Sequence, residues 1–169
     1  MPTHKEQVYI GLGSNLGDSR EHLRTALSEL DSIESTRRLR TSSFYSSSPM
    51  GPQNQADFIN AVCLLETTLP PHDLLAQLQG IENHHGRERK DERWGPRTLD
   101  LDILLYGNHT VATDDLTIPH YGLAEREFVL VPLFEIAPNM VMPDGKPLSN
   151  WVAKCSLDGL RRLRSSNQR

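Results

Sequence analysis

Only two cysteines occur in the 169 residues, Cys63 and Cys155, with no metal-ligand or redox spacing between them. A disulfide framework and a cysteine-built metal centre are thereby excluded, and a reducing cytoplasm fits best. Cys63 sits inside an apolar run and is expected in the core. Long hydrophobic runs are also missing. The longest, such as Val129–Phe134, fall far short of the ~20 residues a membrane helix needs. Met1–Gln7 is polar and leads straight into a strand, so no signal peptide is expected. There is no basic excess: the net charge is −4, which disfavours a nucleic-acid partner. Aromatic residues make up only 6%, and the strands lack the basic and aromatic pattern on which a sheet stacks RNA bases. No Walker A sequence is present. The run Gly11-Leu12-Gly13-Ser14-Asn15-Leu16-Gly17 is one residue too long for the dinucleotide fingerprint. Its glycines are expected to make a strand-to-helix turn and to bind no phosphate.

What remains is an ordinary globular composition, 37% hydrophobic and 24% charged, read as one domain over 1–169. Val8–Leu12 reads as a strand ended by Gly13-Ser14-Asn15. A helix follows, capped by Asp18 or Ser19, with Leu23, Ala26, Leu27, Leu30 and Ile33 on its apolar side. Arg38–Tyr45 reads as a second strand whose Arg37, Arg38 and Arg40 form a solvated rim. Phe58–Thr67 reads as a central third strand. A helix starting at Pro70-Pro71 buries Leu74, Leu75, Leu78 and Ile81 and ends at an exposed His84-His85. Thr98–Tyr106 alternates, with Leu99, Leu101, Ile103 and Leu105 on one face and Asp100, Asp102, Leu104 and Tyr106 on the other. Gly107-Asn108 signals a hairpin into a short fifth strand, short helices are expected near Leu123–Phe128 and Leu148–Cys155, and Arg161–Arg169 reads as a frayed tail. The order β-α-β-β-α-β predicts an α+β fold with a ferredoxin-like split βαβ core, a mainly antiparallel sheet and extra C-terminal helices. Two long loops, 46–57 and 86–97, interrupt it, and loops of about a dozen residues are usually functional.

Asp100-Leu101-Asp102 is the sharpest local signal. On a strand these carboxylates share a face with Cα atoms about 6.5–7 Å apart, close enough to repel. Either that face is solvated or a cation lies between them, and Mg²⁺ is commonly held by one or two carboxylates plus phosphate oxygens. Arg87, Arg89, Lys90, Arg93 and Arg97 crowd the loop just before, interleaved with Trp94 and Gly95-Pro96. Guanidinium groups grip phosphate oxygens bidentately, so loop and strand together suggest a Mg-polyphosphate site. Read as a glycosidase pair, the aspartates would have to flank a sugar, and their placement on one strand beside an arginine loop suits a metal better. Pro119-His120-Tyr121, followed by Arg126 and Phe128, reads as the edge of a mixed polar and aromatic pocket.

The run Arg93-Trp94-Gly95-Pro96-Arg97-Thr98-Leu99-Asp100-Leu101-Asp102-Ile103-Leu104 resembles the signature of the hydroxymethyldihydropterin pyrophosphokinase family. Gly11-Ser14-Asn15-Leu16-Gly17 in outline, Ser43-Phe44-Tyr45, Gly51-Pro52-Gln53, Phe58 with Asn60 and Ala61, Pro119-His120-Tyr121 and Pro132–Pro138 extend the likeness over about residues 7–160. The resemblance implies transfer of diphosphate from ATP to the pterin alcohol, with Asp100 and Asp102 holding two Mg²⁺ ions. It implies that Arg87 and Arg97 bind the phosphates, with His120, Tyr121 and Arg126 lining the same channel. Leu75, Glu82, Ile103 and Thr117 fall where the family holds the nucleotide. The resemblance also implies a pterin stacked between Phe58 and Phe128, read by Asn60 and by backbone near Ser47 and Met50, and bound by Trp94. Phe58 stands where many members carry Tyr, and Ser47-Ser48 where they carry Thr-Pro. The expected partners are these small molecules alone, bound by a monomer, with both long loops closing over them to exclude water.

Overall fold

The computed structural model describes residues 5–15, 17–47, 58–85, 98–120, 123, 126–155 and 160–163. Strand β1 (Glu6–Ser14) leads into helix α1 (Ser19–Leu30), whose N-cap Asp18 accepts the Glu21 N–H at 3.2 Å. Then come β2 (Thr36–Thr41), β3 (Tyr45–Ser47), β4 (Phe58–Thr67), α2 (Pro71–His84) and β5 (Asp100–Tyr106). The chain finishes with β6 (Val111–Ala112), β7 (Thr117–Ile118), α3 (Glu127–Ile136), α4 (Leu148–Ala153) and β8 (Arg161–Arg162).

The main sheet runs β5-β1-β4-β3-β8, with β2 beside β3 on β4, and every pairing in it is antiparallel. Counting β2 and β3 as one interrupted strand, this is the ferredoxin-like order expected from the sequence. One face carries Val8, Ile10 and Leu12 of β1, Ala61, Cys63 and Leu65 of β4, and Leu101 and Ile103 of β5. These pack on Leu23, Ala26, Leu27 and Leu30 of α1 and on Leu74, Leu78 and Ile81 of α2. The other face carries Val62, Leu64 and Leu104 beneath Val129, Leu130, Leu133 and Ile136 of α3 and Leu148 of α4. Burying both faces of a sheet removes the largest apolar area from water, at roughly 25 cal/mol per Å².

Several expectations are corrected. β1 continues past Leu12 through Gly13 to Ser14, so Gly13 is a strand residue as Gly11 is, and of the three glycines in this run Gly17, at φ 75°, makes the turn. The second strand is broken at residues 42–44, where Ser42 bonds Val62 through both its backbone N–H and its hydroxyl. The arginine rim is anchored: Arg38 makes two bonds to Asp31 at 2.9 and 2.8 Å, and Arg40 donates to the Ile136 carbonyl at 2.8 Å. Along α2 the fourth buried position is Glu82, while Leu75 is half-buried. His85 is not an exposed helix end: its side chain is 7% exposed, with Nδ1 2.6 Å from His22 Nδ1 and Nε2 2.7 Å from Glu29.

A register shift between Tyr9 and Ile10 turns the end of β5, so Leu105 joins Leu104 near the α3 core and Tyr106 joins the α1–α2 core. Gly107 does adopt a positive φ of 52°, but β6 pairs with β7 rather than folding back on β5. The expected 123–128 helix lies at Glu127–Ile136, with Pro132 inside it. An internal proline costs a helix ~3 kcal/mol, offset here by the four apolar residues α3 buries. Arg161–Arg162, expected to fray, pair with β3 as β8.

Cys63 is fully buried, which pushes its thiol up to about 12. A thiol reagent at pH 8 is expected to leave Cys63 unmodified in the folded protein and to label it once denaturant is added. Rapid labelling of Cys63 in native buffer, read by peptide mass, would show that the first core is not closed.

Candidate active site

Register builds the site. Asp100 of β5 faces Gly13 of β1, which faces Asn60 of β4, which faces Tyr45 of β3. One step along, Asp102 faces Gly11, and Gly11 faces Val62; at the far side, Phe58 faces Ser47. Residues opposed in an antiparallel pair project from the same face, so all of these share the face covered by α3 and α4. That cover ends over Val62 and Leu104. Beyond it the Asp102 side chain is 44% exposed and Phe58 is half-buried. Between carboxylates on one side and Phe58 and Asn60 on the other lie two glycines. A β-carbon at Gly13 would come 3.0 Å from Asn60 Oδ1, and one at Gly11 would rest 3.4 Å from Leu104. Glycine in a strand interior often marks a place where something else approaches the backbone closely.

Fixed contacts surround this floor. Asn60, 4% exposed, donates its Nδ2 to Ser47 Oγ at 2.7 Å, which leaves Oδ1 beside Gly13. Glu82, at the end of α2, accepts the Leu101 N–H at 2.7 Å and so fixes the edge strand between the two aspartates. The His120 N–H bonds the Leu104 carbonyl at 3.0 Å, and its Nε2 lies 3.9 Å from Asp102 Oδ1. Burial, with help from the Arg126 charge, lowers His120 to about 4, so the ring is neutral near pH 7. Arg126 lies 5.8 Å from the Phe128 ring centroid, within cation–π range. Among the described residues no group of three or more His, Cys, Asp or Glu converges to hold a metal. An ion at Asp100 and Asp102 would therefore draw its remaining ligands from substrate and water, which is the usual habit of Mg²⁺.

Residues 9–138 match the family of 7,8-dihydro-6-hydroxymethylpterin-pyrophosphokinase (HPPK). The chain belongs to the HPPK family. It is 53% identical over 145 residues to the 2-amino-4-hydroxy-6-hydroxymethyldihydropteridine pyrophosphokinase of Haemophilus influenzae, covering 86% of this chain and 90% of that one. The Pseudomonas aeruginosa protein of the same name is 46% identical over 158 residues, covering 94% and 97%. A solved HPPK-DHPS chain from Plasmodium falciparum superposes with a TM-score of 0.69 at 14% identity, which supports the fold. That likeness covers 90% of this chain and 45% of the other, so this chain spans about half of the solved protein.

The HPPK residues expected from the sequence fall into three groups. Asp100, Asp102, His120, Ser47, Phe58 and Asn60 border the open face, with Arg126 and Phe128 at the start of α3. Leu75, Glu82 and Thr117 do not; they belong to α2 and β7, and the Ile103 side chain is buried in the first core, so only its backbone remains for a ligand. Arg87, Arg97, Met50, Trp94 and Tyr121 lie outside the described residues, as do 48–57 and 86–97 of the two long loops. Sequence reasoning missed the glycine floor, although glycines at i and i+2 inside an apolar strand were the available signal.

Removing the Glu82 carboxylate strands a buried backbone N–H. Glu82→Ala is expected to lower stability by ~1–3 kcal/mol, whereas Glu82→Gln, which keeps an acceptor oxygen, loses less. Urea denaturation of the ligand-free protein checks this; equal stability of both variants would mean that Leu101 finds another acceptor.

Proposed function

We infer that this HPPK moves diphosphate from ATP to 6-hydroxymethyl-7,8-dihydropterin across the glycine floor, with nucleotide on the β5 side and pterin on the β3–β4 side. The register carries this reading: Gly13 has Asp100 on one flank and Asn60 on the other. Asp100 and Asp102 would hold Mg²⁺, for which two half-exposed carboxylates on one strand are a suitable donor set. Bound there, Mg²⁺ would neutralise phosphate charge and make the β-phosphorus more electrophilic.

The protein's own residues do the remainder. The Ile103 backbone of β5, with Leu75 and Glu82 of α2 and Thr117 of β7, is assigned to the nucleotide. Arg87, Arg97, Tyr121 and Arg126 are assigned to its phosphates on the strength of the family motifs. His120, neutral and fixed through its backbone, offers a hydrogen bond beside Asp102 without adding charge. Phe58 and Phe128 are assigned to the faces of the pterin, Asn60 and Ser47 to its polar edge, and Met50 and Trp94 to its surroundings. The pterin hydroxyl oxygen bonds to the β-phosphorus as the bond to the α-β bridging oxygen breaks; AMP leaves and the hydroxyl proton passes to water. Alignment and charge neutralisation supply most of the acceleration. Free thiols at Cys63 and Cys155 suit the cytoplasm, and helices from the same chain cover both sheet faces, which suits a monomer.

The decisive assay incubates the protein with ATP, Mg²⁺ and hydroxymethyldihydropterin. AMP and the pterin diphosphate are expected; ADP with a pterin monophosphate would mean attack at the γ-phosphorus and would overturn the reading. Asp100→Ala or Asp102→Ala should slow turnover about a thousandfold or more. Stability should hold or rise in the metal-free protein, because a like-charge pair is relieved. Near-normal turnover at saturating Mg²⁺ would remove that aspartate from the metal site.

The floor gives a paired test. Gly13→Ala pushes a methyl group against Asn60 Oδ1 and is expected to weaken pterin binding about tenfold or more, because a polar reader moves out of place. Gly11→Ala meets only the Leu104 side chain at ordinary contact distance and is expected to bind pterin nearly normally. Calorimetric titration of both variants decides; unchanged pterin affinity in Gly13→Ala would separate Asn60 from the pterin.

A further inference from the structure

Beyond the pocket lies a polar cluster that the reaction does not use directly. Glu135, on the last turns of α3, accepts the Tyr45 hydroxyl at 2.7 Å, the Ser43 hydroxyl at 2.9 Å, and the Ser43 N–H at 3.0 and 3.1 Å. Arg162 of β8 closes the cluster, donating Nε to Ser43 Oγ at 3.0 Å and reaching Glu135 at 3.4 Å. Burial and the neighbouring carboxylate both push the Tyr45 phenol up, so it stays a donor throughout the physiological range. One carboxylate thus gathers a helix, the break between β2 and β3, and the last described strand.

The cluster's position gives it a use. β3 has only three residues, and its outer neighbour β8 has only two. Tyr45 faces Asn60 across the β3–β4 ladder, and Ser47, two residues on and on the same face, takes the Asn60 Nδ2–H. Where Ser47 lies therefore sets the direction of the Asn60 amide, and where β3 lies depends on what holds Tyr45 and Ser43. Anchoring β3 from α3 and β8 fixes the backbone from which the Ser47 hydroxyl reaches Asn60.

We propose that Glu135, Tyr45 and Arg162 are positioning residues for pterin recognition, holding β3 so that Ser47 presents the Asn60 amide to the heterocycle. This rests on the assignment of Ser47 and Asn60 to the pterin site. A positioning role predicts damage confined to one substrate, because β5 and α2, on the nucleotide side, make none of these contacts.

In the full chain, Tyr45→Phe removes one hydrogen bond and Arg162→Met removes the contacts to Ser43 and Glu135, neither opening the core. Each is expected to raise KM for hydroxymethyldihydropterin about fivefold to tenfold, with KM for ATP and kcat at saturating pterin within about twofold of the parent. Glu135→Gln should behave the same way, and Glu135→Ala more severely. The second measurement is a cycle with Asn60→Ala. In that background Tyr45→Phe should cost less than about twofold in pterin KM, since the residue it acts through is gone. Equal losses for ATP and pterin, or an undiminished cost in the Asn60→Ala background, would reduce the cluster to a general support and overturn the proposal. If Asn60→Ala raises pterin KM while Tyr45→Phe and Arg162→Met do not, the pocket stands and the positioning role falls. If Asn60→Ala itself leaves pterin KM unchanged, the pocket assignment fails and takes the proposal with it.

Discussion

Antiparallel pairing of β1 with both β4 and β5 is the constraint from which the rest of the site follows. A strand has a period of two, so slipping β1 by one residue would turn Val8, Ile10 and Leu12 out of the first core and drive Tyr9 into it. Burial of those three residues therefore fixes the register. Once fixed, it delivers two glycines to the opposite face, Gly13 between Asp100 and Asn60, and Gly11 between Asp102 and Val62. The residues that bury most thus place the residues assigned to binding, which lie on the other face of the sheet.

The second face is finished unevenly. α3 and α4 cover its middle, where Val62, Leu64 and Leu104 are apolar, and stop where the sheet turns to aspartate, glycine and asparagine. Three points along the gap are held from behind: the Asn60 amide by Ser47, the β5 backbone by Glu82, and the His120 backbone by the Leu104 carbonyl. Pre-ordering of this kind lets a ligand bind without first arranging its receptor, which lowers the entropic cost of association.

Much of this was legible in the sequence. β4 runs from Phe58 to Thr67 as its composition implied, and the aspartates of β5 share a face as their spacing required. What could not be read came from contacts distant along the chain. The break between β2 and β3 depends on Ser42 meeting Val62 and on Ser43 meeting Glu135, 92 residues away. The glycines of β1 resemble a turn in isolation and become a floor only between two partner strands. His85 looks like a solvent-facing helix end until His22 and Glu29 close over it. The helix expected near Leu123–Phe128 runs instead over Glu127–Ile136, through a Pro132 that is tolerated because α3 gains so much apolar cover. Local propensity lost in each case to tertiary packing.

The pairing of β3 with β8 has a consequence for how the chain is made. Arg162 meets Ser43 across 119 positions, so on the ribosome the outer edge of β3 stays bare until almost all the described chain has emerged. A naked edge invites pairing with the wrong strand. Tyr45-Ser46-Ser47 is a poor template, being only three residues long and two-thirds serine. The brevity that makes β3 depend on Glu135 in the finished protein also protects it during synthesis, when neither Glu135 nor Arg162 yet exists.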